Sequence, residues 1–253
     1  MRPYILAETN WKAVSATRFT LAVLPWGATE AHNYHLPYGT DNYQAEGICA
    51  AAAAKAWDRG AKVIVLPGIP FGVNTGQADI TLDINLNPST QLAILDDIVA
   101  TLQRHGIPKL LVFNGHGANH FNNPLRELGL KYPGVFQCWT SFFKSLPREE
   151  YFELPGDHAD ELETSLMLHL HPELVLPLAE AGDGSERGPR IPAFKEPWAW
   201  AERQWSEVSA DTGIGDPSLA TAAKGKRYFE AVVAKFADLF YDLAELDRRD
   251  FYA

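Results

Sequence analysis

Over the first two-thirds of the chain, short apolar runs alternate with stretches of helical period. Residues 21–25 (LAVLP) lead into Gly27, the pattern of a buried strand entering a loop. Residues 42–57 are alanine-rich and built from good helix formers. Residues 62–66 (KVIVL) read as a second strand, stopped by Pro67-Gly68. Asn87-Pro88 predicts a helix start, with a capping residue ahead of proline at the first helical position. Leu92, Leu95, Ile98, Val99 and Leu102 then recur at helical spacing. Residues 109–113 (KLLVF) predict a third strand running straight into Asn114-Gly115-His116-Gly117, and residues 135–139 a fourth. Apolar strands this short, separated by helices, predict an α/β fold with a mostly parallel sheet covered on both faces.

The last third differs. Residues 181–217 are rich in Gly, Pro and Trp without a clear period, which predicts a long ordered excursion, a lid or a subunit contact. Asp216-Pro217 predicts the start of a final helix whose Phe229, Val232, Val233, Phe236, Phe240 and Leu243 form one apolar stripe. No repeat, low-complexity tract or linker divides the chain, so one domain over residues 1–253 is expected. Lys plus Arg is 22 and Asp plus Glu is 32, a net charge of −10. With no local basic patch, that balance argues against nucleic acid or an anionic membrane as a partner. The two cysteines, Cys49 and Cys138, fall far apart in apolar runs and read as buried thiols, with no disulfide framework. Residues 1–12 carry Glu8 and lack the apolar core of a signal peptide, and no apolar run approaches the roughly 18 residues of a membrane span. The expectation is a soluble, cytoplasmic protein.

Three polar clusters sit where strands end or a helix begins. The first runs from Gly27 to Asp41, with Glu30 and His32 two apart, then His35 and Asp41. In extended chain that spacing points Glu30 and His32 the same way. Carboxylate, imidazole and second carboxylate make a ligand set for a divalent ion, placed after the first strand where open α/β sheets bind their ligands. The second is Asn114-Gly115-His116-Gly117-Ala118-Asn119-His120, whose glycines allow a sharp turn and close approach. The third, Asp157 to Ser165, opens a helix. His158 and Glu163 are five apart, so they share a site only if His158 lies in the loop before that helix. Each cluster also has a plainer reading as a solvated strand end, a turn or a helix N-terminus. Five of the eight histidines (32, 35, 116, 120 and 158) fall within these three segments, and that convergence favours a site. There is no phosphate-binding glycine loop, no dinucleotide fingerprint and no nucleophile elbow, which disfavours a nucleotide-binding module or a serine hydrolase. Trp198, Trp200 and Trp205 line a pocket or pack in a core or interface.

The stretch Pro25-Trp26-Gly27-Ala28-Thr29-Glu30-Ala31-His32, with His35-Leu36-Pro37, Thr40-Asp41, Asn114-Gly115-His116-Gly117-Ala118-Asn119, His158-Ala159 and Glu163-Thr164-Ser165, resembles the creatininase (creatinine amidohydrolase) family. Gly215-Asp216-Pro217-Ser218-Leu219-Ala220 resembles the family's C-terminal motif. The resemblance runs in the same order from about residue 20 to 240. It implies a three-layer α/β/α domain with a mostly parallel sheet, often assembled as a hexamer. It also implies two divalent metal ions per chain, zinc, manganese or iron. By motif, Glu30, His32, Asp41 and His116 are metal ligands, with Asp41 bridging. His158 is the catalytic histidine, and Glu163 a ligand or acid/base partner. The sequence departs from the family pattern at four positions. Ala118 stands where creatininase has a glutamate, so Glu163 is the leading candidate to complete the second metal. Leu154 stands where creatininase proper has a tryptophan on a substrate-closing loop. Asn33 and Asp160 replace customary glycines.

The function implied is hydrolysis of a carbonyl–nitrogen bond in a small amide or cyclic amide. Metal-bound hydroxide is the nucleophile and His158 the acid/base. The alternatives are a formamide deformylase of a flavin-like pathway, and a non-catalytic family member that binds a metal or ligand. Residues 71–83 (FGVNTGQADITLD) are the expected specificity loop, whose Asn74, Thr75 and Gln77 either hydrogen-bond a polar ring or form turns.

Overall fold

The computed structural model describes residues 1–196 and 198–252. A short helix α1 (Trp11–Ser15) leads to β1 (Leu21–Trp26), α2 (Thr40–Asp58), β2 (Val63–Val65), α3 (Pro88–Arg104), β3 (Lys109–Asn114), α4 (Asn122–Lys131) and β4 (Phe136–Ser141). The strands form one sheet in the order β2-β1-β3-β4, every pair parallel. β5 (Gly156–His158), α5 (Glu161–Leu170), α6 (Trp205–Val208), β6 (Ile214–Gly215) and α7 (Ala222–Glu245) complete the chain, β5 and β6 pairing antiparallel.

The alternation of side chains along each strand builds two cores, one on each face of the sheet. Leu21, Val23, Val63, Val65, Leu111 and Phe113 point towards α2, α5 and α7, where they meet Ala45, Ile48, Leu166, Val232, Phe236 and Phe240. Ala22, Leu24, Trp26, Ile64, Leu110 and Val112 point the other way, towards Leu95, Val99 and Leu102 of α3 and Leu128 of α4. The result is the expected three-layer α/β/α arrangement. Both faces are dry, which is why the strands read as continuous apolar runs.

Several local expectations need correction. Asn87 stands at the N-cap of α3, yet its side chain caps nothing; its Oδ1 accepts from Asn85 Nδ2 at 3.0 Å. The proline at the first helical position sets the start instead. The last helix begins at Ala222, five residues after Pro217, because Thr221 supplies the cap by accepting from Lys224 N at 3.2 Å. Along its stripe Val232, Val233, Phe236, Phe240 and Leu243 are buried, and Phe229 packs at the margin. Cys49 is buried and Cys138 only half-buried, since β4 is an edge strand; both are free thiols. At the start of β3, the Lys109 ammonium donates to the carbonyls of Leu243, Ala244 and Leu246 at 2.6, 2.8 and 2.7 Å. It satisfies the open carbonyls at the end of α7 and ties that helix to the sheet.

The connections place the site. From β1 the chain crosses to β2 on one side, then returns past β1 to β3 on the other. The strand order therefore reverses between β1 and β3, and the crevice at their carboxyl ends is where such folds bind ligands. The loop after β1 carries Glu30 and His32, the first turn of α2 carries Asp41, and the loop after β3 carries His116.

Candidate metal centre

Glu30, His32, Asp41, His116, His158 and Glu163 converge at this crevice. Their donor atoms fall into three compact groups: Glu30 with Asp41 and His116, His32 with Asp41 and Glu163, and Glu30 with His32 and His158. The first two groups share Asp41. His116 Nδ1 lies 2.8 Å from Glu30 Oε1 and 3.1 Å from Asp41 Oδ2. His32 Nε2 lies 3.1 Å from Asp41 Oδ1 and 3.9 Å from Glu163 Oε1. His158 Nδ1 is 3.8 Å from Glu30 Oε1.

Each imidazole is oriented through its other nitrogen by a backbone carbonyl. His32 Nδ1–H donates to Glu30 O at 3.1 Å, His116 Nε2–H to Val73 O at 3.0 Å and His158 Nε2–H to Ala31 O at 2.8 Å. These bonds fix the tautomers and leave His32 Nε2, His116 Nδ1 and His158 Nδ1 facing the carboxylates, the arrangement typical of metal-ligating histidines.

Local structure explains the convergence. A Cβ at Gly115 would meet the Asp41 carbonyl at 2.8 Å, so only glycine lets the loop after β3 bring His116 beside the start of α2. Asn33, where the family customarily has glycine, adopts φ +53°, a left-handed conformation that asparagine tolerates. His158 ends β5, ahead of α5, as the five-residue spacing to Glu163 requires. Asp160 caps α5, accepting from Leu162 N and Glu163 N at 2.8 and 3.1 Å, and pairs with Arg148 at 2.6 Å. Ala159 between them is held at φ +52°, its N–H donated to Glu163 Oε2 at 2.5 Å.

The electrostatics fit divalent cations. Among the described residues, Glu30 Oε2 is a buried acceptor with no hydrogen-bond partner, and Glu30 Oε1 and Asp41 Oδ2 have no partner closer than His116 Nδ1. Burial opposes the charged form of His32, but Asp41, Glu163 and Glu30 around it outweigh burial and raise its pKa to about 10. His116 is raised in the same way, against burial, chiefly by Glu30 and Asp41. Glu30 and Asp41 are in turn kept ionised despite burial, chiefly by His116 and by His32 respectively. Without metal, protons on His32 and His116 balance the buried carboxylates; a divalent ion would take over that role and release them. The donor set of imidazole nitrogens and carboxylate oxygens suits zinc, manganese or iron(II). Burial raises Glu163 to about 8, and burial together with neighbouring His32 lowers His158, leaving it a neutral base.

Two histidines of the same segments stay outside the cluster. His35 Nε2 bonds Thr164 Oγ1 at 2.8 Å, and burial pushes its pKa down to about 4. His120 is exposed on the cavity wall. Glu161, three residues from His158, instead accepts from Lys224 Nζ and from the amides of Glu153 and Leu154.

A cavity of about 1420 Å³ opens over the cluster. Glu30, Asp41, His116, His158 and Glu163 reach it, and His32 lies buried beneath. The expected specificity loop contributes Asn74, Thr75 and Gln77 to the wall. Asn74 also serves a turn, its Nδ2 donating to Thr29 O and Ile84 O, each at 3.4 Å. Of the three candidate tryptophans, Trp200 and Trp205 line the cavity, whereas Trp198 is exposed outside it. Sequence reasoning missed the orienting carbonyls of Glu30, Ala31 and Val73, which no side-chain pattern encodes. It also missed Arg148 and Arg203, which line the wall while paired to Asp160 and Asp157.

Comparison with known proteins agrees with this fold. The creatininase family model, described as creatinine amidohydrolase, matches residues 7–240. A crystal structure of a Bacteroides fragilis protein provisionally classed as a creatinine amidohydrolase superposes with a TM-score of 0.93 at 40% identity, covering 100% of both chains. The creatinine amidohydrolase of Pseudomonas putida is 29% identical over 259 residues, 92% of this chain and 94% of its own. The mycofactocin precursor peptide peptidase of Mycobacterium ulcerans is 26% identical over 219 residues, 83% of this chain and 80% of its own.

Proposed function

The chain belongs to the creatininase (creatinine amidohydrolase) family, and from that premise we propose that it is a metal-dependent hydrolase of carbonyl–nitrogen bonds. The observation that carries the reading is the pair of donor groups sharing Asp41 at the floor of an open cavity. Glu30, Asp41 and His116 would hold one divalent ion, and His32, Asp41 and Glu163 a second. Glu163 then supplies the carboxylate missing at Ala118, its Oε1 lying 3.9 Å from His32 Nε2.

Divalent ions held there would lower the pKa of a bound water and polarise the scissile carbonyl. His158 moves the proton. Its Nε2–H is committed to Ala31 O, which leaves Nδ1 as the free base on the cavity side, and its lowered pKa keeps that nitrogen unprotonated. From there it takes a proton from the attacking water and delivers it to the departing nitrogen. Glu163 holds the Ala159 amide and so fixes the turn on which His158 is mounted. Metal identity among zinc, manganese and iron, and assembly into a homo-oligomer such as a hexamer, belong to the same reading. Among the described residues no helix is long and apolar enough to cross a membrane.

A second reading concerns substrate size. The cavity, at about 1420 Å³, exceeds the roughly 300–1,000 Å³ usual for small-molecule sites, which favours an amide larger than a single ring, such as a short peptide. A panel of creatinine, other cyclic amides, formamides and short peptides, offered to zinc-loaded and manganese-loaded enzyme, tests both readings. Release of amine from at least one member, abolished by a chelator, is expected. Full metal loading with no cleavage across the panel would leave the non-catalytic alternative in its place.

A further inference from the structure

We propose that Trp205 is a positioning residue that fixes the His158 ring against the loop carrying His32. This rests on His158 acting as the proton carrier. Its imidazole sits at the end of the short strand β5, just before the left-handed turn at Ala159. One hydrogen bond, to Ala31 O, holds the ring, and two other rings pack on it. The His32 ring lies at 4.2 Å between centroids, and the Trp205 indole lies edge-on at 5.2 Å with an interplanar angle of 80°.

Trp205 is itself tied to both loops of the site. Its indole N–H donates to Thr212 O at 2.8 Å, and Thr212 Oγ1 accepts from the backbone N of Asn33, next to His32, at 2.9 Å. Thr212 and Asn33 both hold left-handed conformations, with φ of +67° and +53°. Buried Asp211 braces this turn, accepting from Gly213 N at 2.9 Å and Gly184 N at 3.0 Å. Beside Trp205, the Arg203 guanidinium lies 5.4 Å from the ring centroid and pairs with Asp157, the residue before His158, at 2.7 Å. The contacts close a circuit from His32 through Asn33, Thr212 and Trp205 to His158, and back through Ala31. Trp205 is half-buried, and α6 contributes no buried residue, so the indole adds little to the core.

The test compares zinc-loaded wild type with Trp205→Ala and Trp205→Phe. Long-range proton–nitrogen correlation spectra of ¹⁵N-histidine-labelled protein report the His158 tautomer without any substrate. Wild type and Trp205→Phe are expected to show a single Nε2–H form, and Trp205→Ala a mixture. Metal content should stay unchanged in all three. With the fastest substrate of the panel, kcat of Trp205→Ala should fall about 10- to 100-fold while KM stays within about threefold. Trp205→Phe, which keeps the ring edge, should recover most of the loss. A wild-type ring spectrum in Trp205→Ala overturns the proposal, and so does a raised KM with kcat intact, which would make Trp205 a substrate wall. His158→Ala separates the two levels. If it keeps kcat, the reading of His158 has failed; if it loses kcat while Trp205→Ala does not, only the role of Trp205 has failed.

Discussion

Gly225→Ala offers a test in which two effects have opposite signs. Gly225 lies in the first turns of α7 where that helix crosses α5. A Cβ there would overlap the Ser165 carbonyl oxygen outright and come within 3.0 Å of Leu166 N. Heavy atoms rest at about 3.5–4.0 Å, so full relief of the overlap would need a local separation of roughly 2 Å, against an interface packed with Leu162, Leu166, Tyr228 and Val232. Overpacking of this kind costs about 1–3 kcal/mol, and backbone against backbone belongs at the upper end. Helix propensity acts the other way and favours alanine by about 1 kcal/mol. The net expectation is destabilisation by about 2 kcal/mol, or a Tm lower by about 4–8 °C for a chain near this size. Because Ser165 lies two residues from Glu163, the displaced α5 should also weaken retention of one metal ion. Calorimetry of the metal-loaded protein reads the first effect and elemental analysis after dialysis the second. An unchanged or raised Tm would mean that propensity wins and that the close helix crossing is not as drawn.

Three further outcomes follow from the site. Asp41→Ala should lose both ions in elemental analysis, because Asp41 belongs to both donor groups; retention of two would show that it is not shared. His158→Ala should keep its metal while kcat falls by about 10²–10⁴, the usual contribution of acid/base catalysis, and loss of metal would instead make His158 a ligand. Glu163 has its folded pKa raised to about 8 by burial, so its neutral form stabilises the metal-free fold at low pH, and that stability drains away as pH rises through about 8. Metal-free Glu163→Gln should lack this loss, so its Tm should gain on wild type between about pH 5 and about pH 8, and no further above that. Parallel melting profiles for the two proteins would contradict the burial of that carboxyl.

Legibility from the sequence followed the physics of each element. The sheet was readable because both of its faces are buried, which makes strands such as KLLVF continuously apolar and sets them apart from the periodic helices. The convergence of Glu30, His32, Asp41, His116, His158 and Glu163 was readable because carboxylates and imidazoles stand immediately after strands or at helix starts, where parallel sheets gather ligands. The onset of α7 was misplaced because Asp-Pro is as good a turn signal as a helix signal, and the Thr221 cap decided it. His35 falls in the same segment as Glu30, His32 and Asp41. Only the fold turns it to Thr164. The carbonyls that orient the three imidazoles, and the circuit through Thr212 and Trp205, depend on contacts between residues far apart in the chain. No local pattern carries them.

The measurement that bears most directly on the account is the metal-to-protein ratio of the purified chain, determined by elemental mass spectrometry after equilibration with zinc or manganese and removal of the excess. Two donor groups sharing Asp41 predict a ratio close to two. A ratio of one would mean that Glu163 does not make up for Ala118, and that the shared centre is wrong. A ratio of zero would contradict the metal-dependent hydrolase altogether.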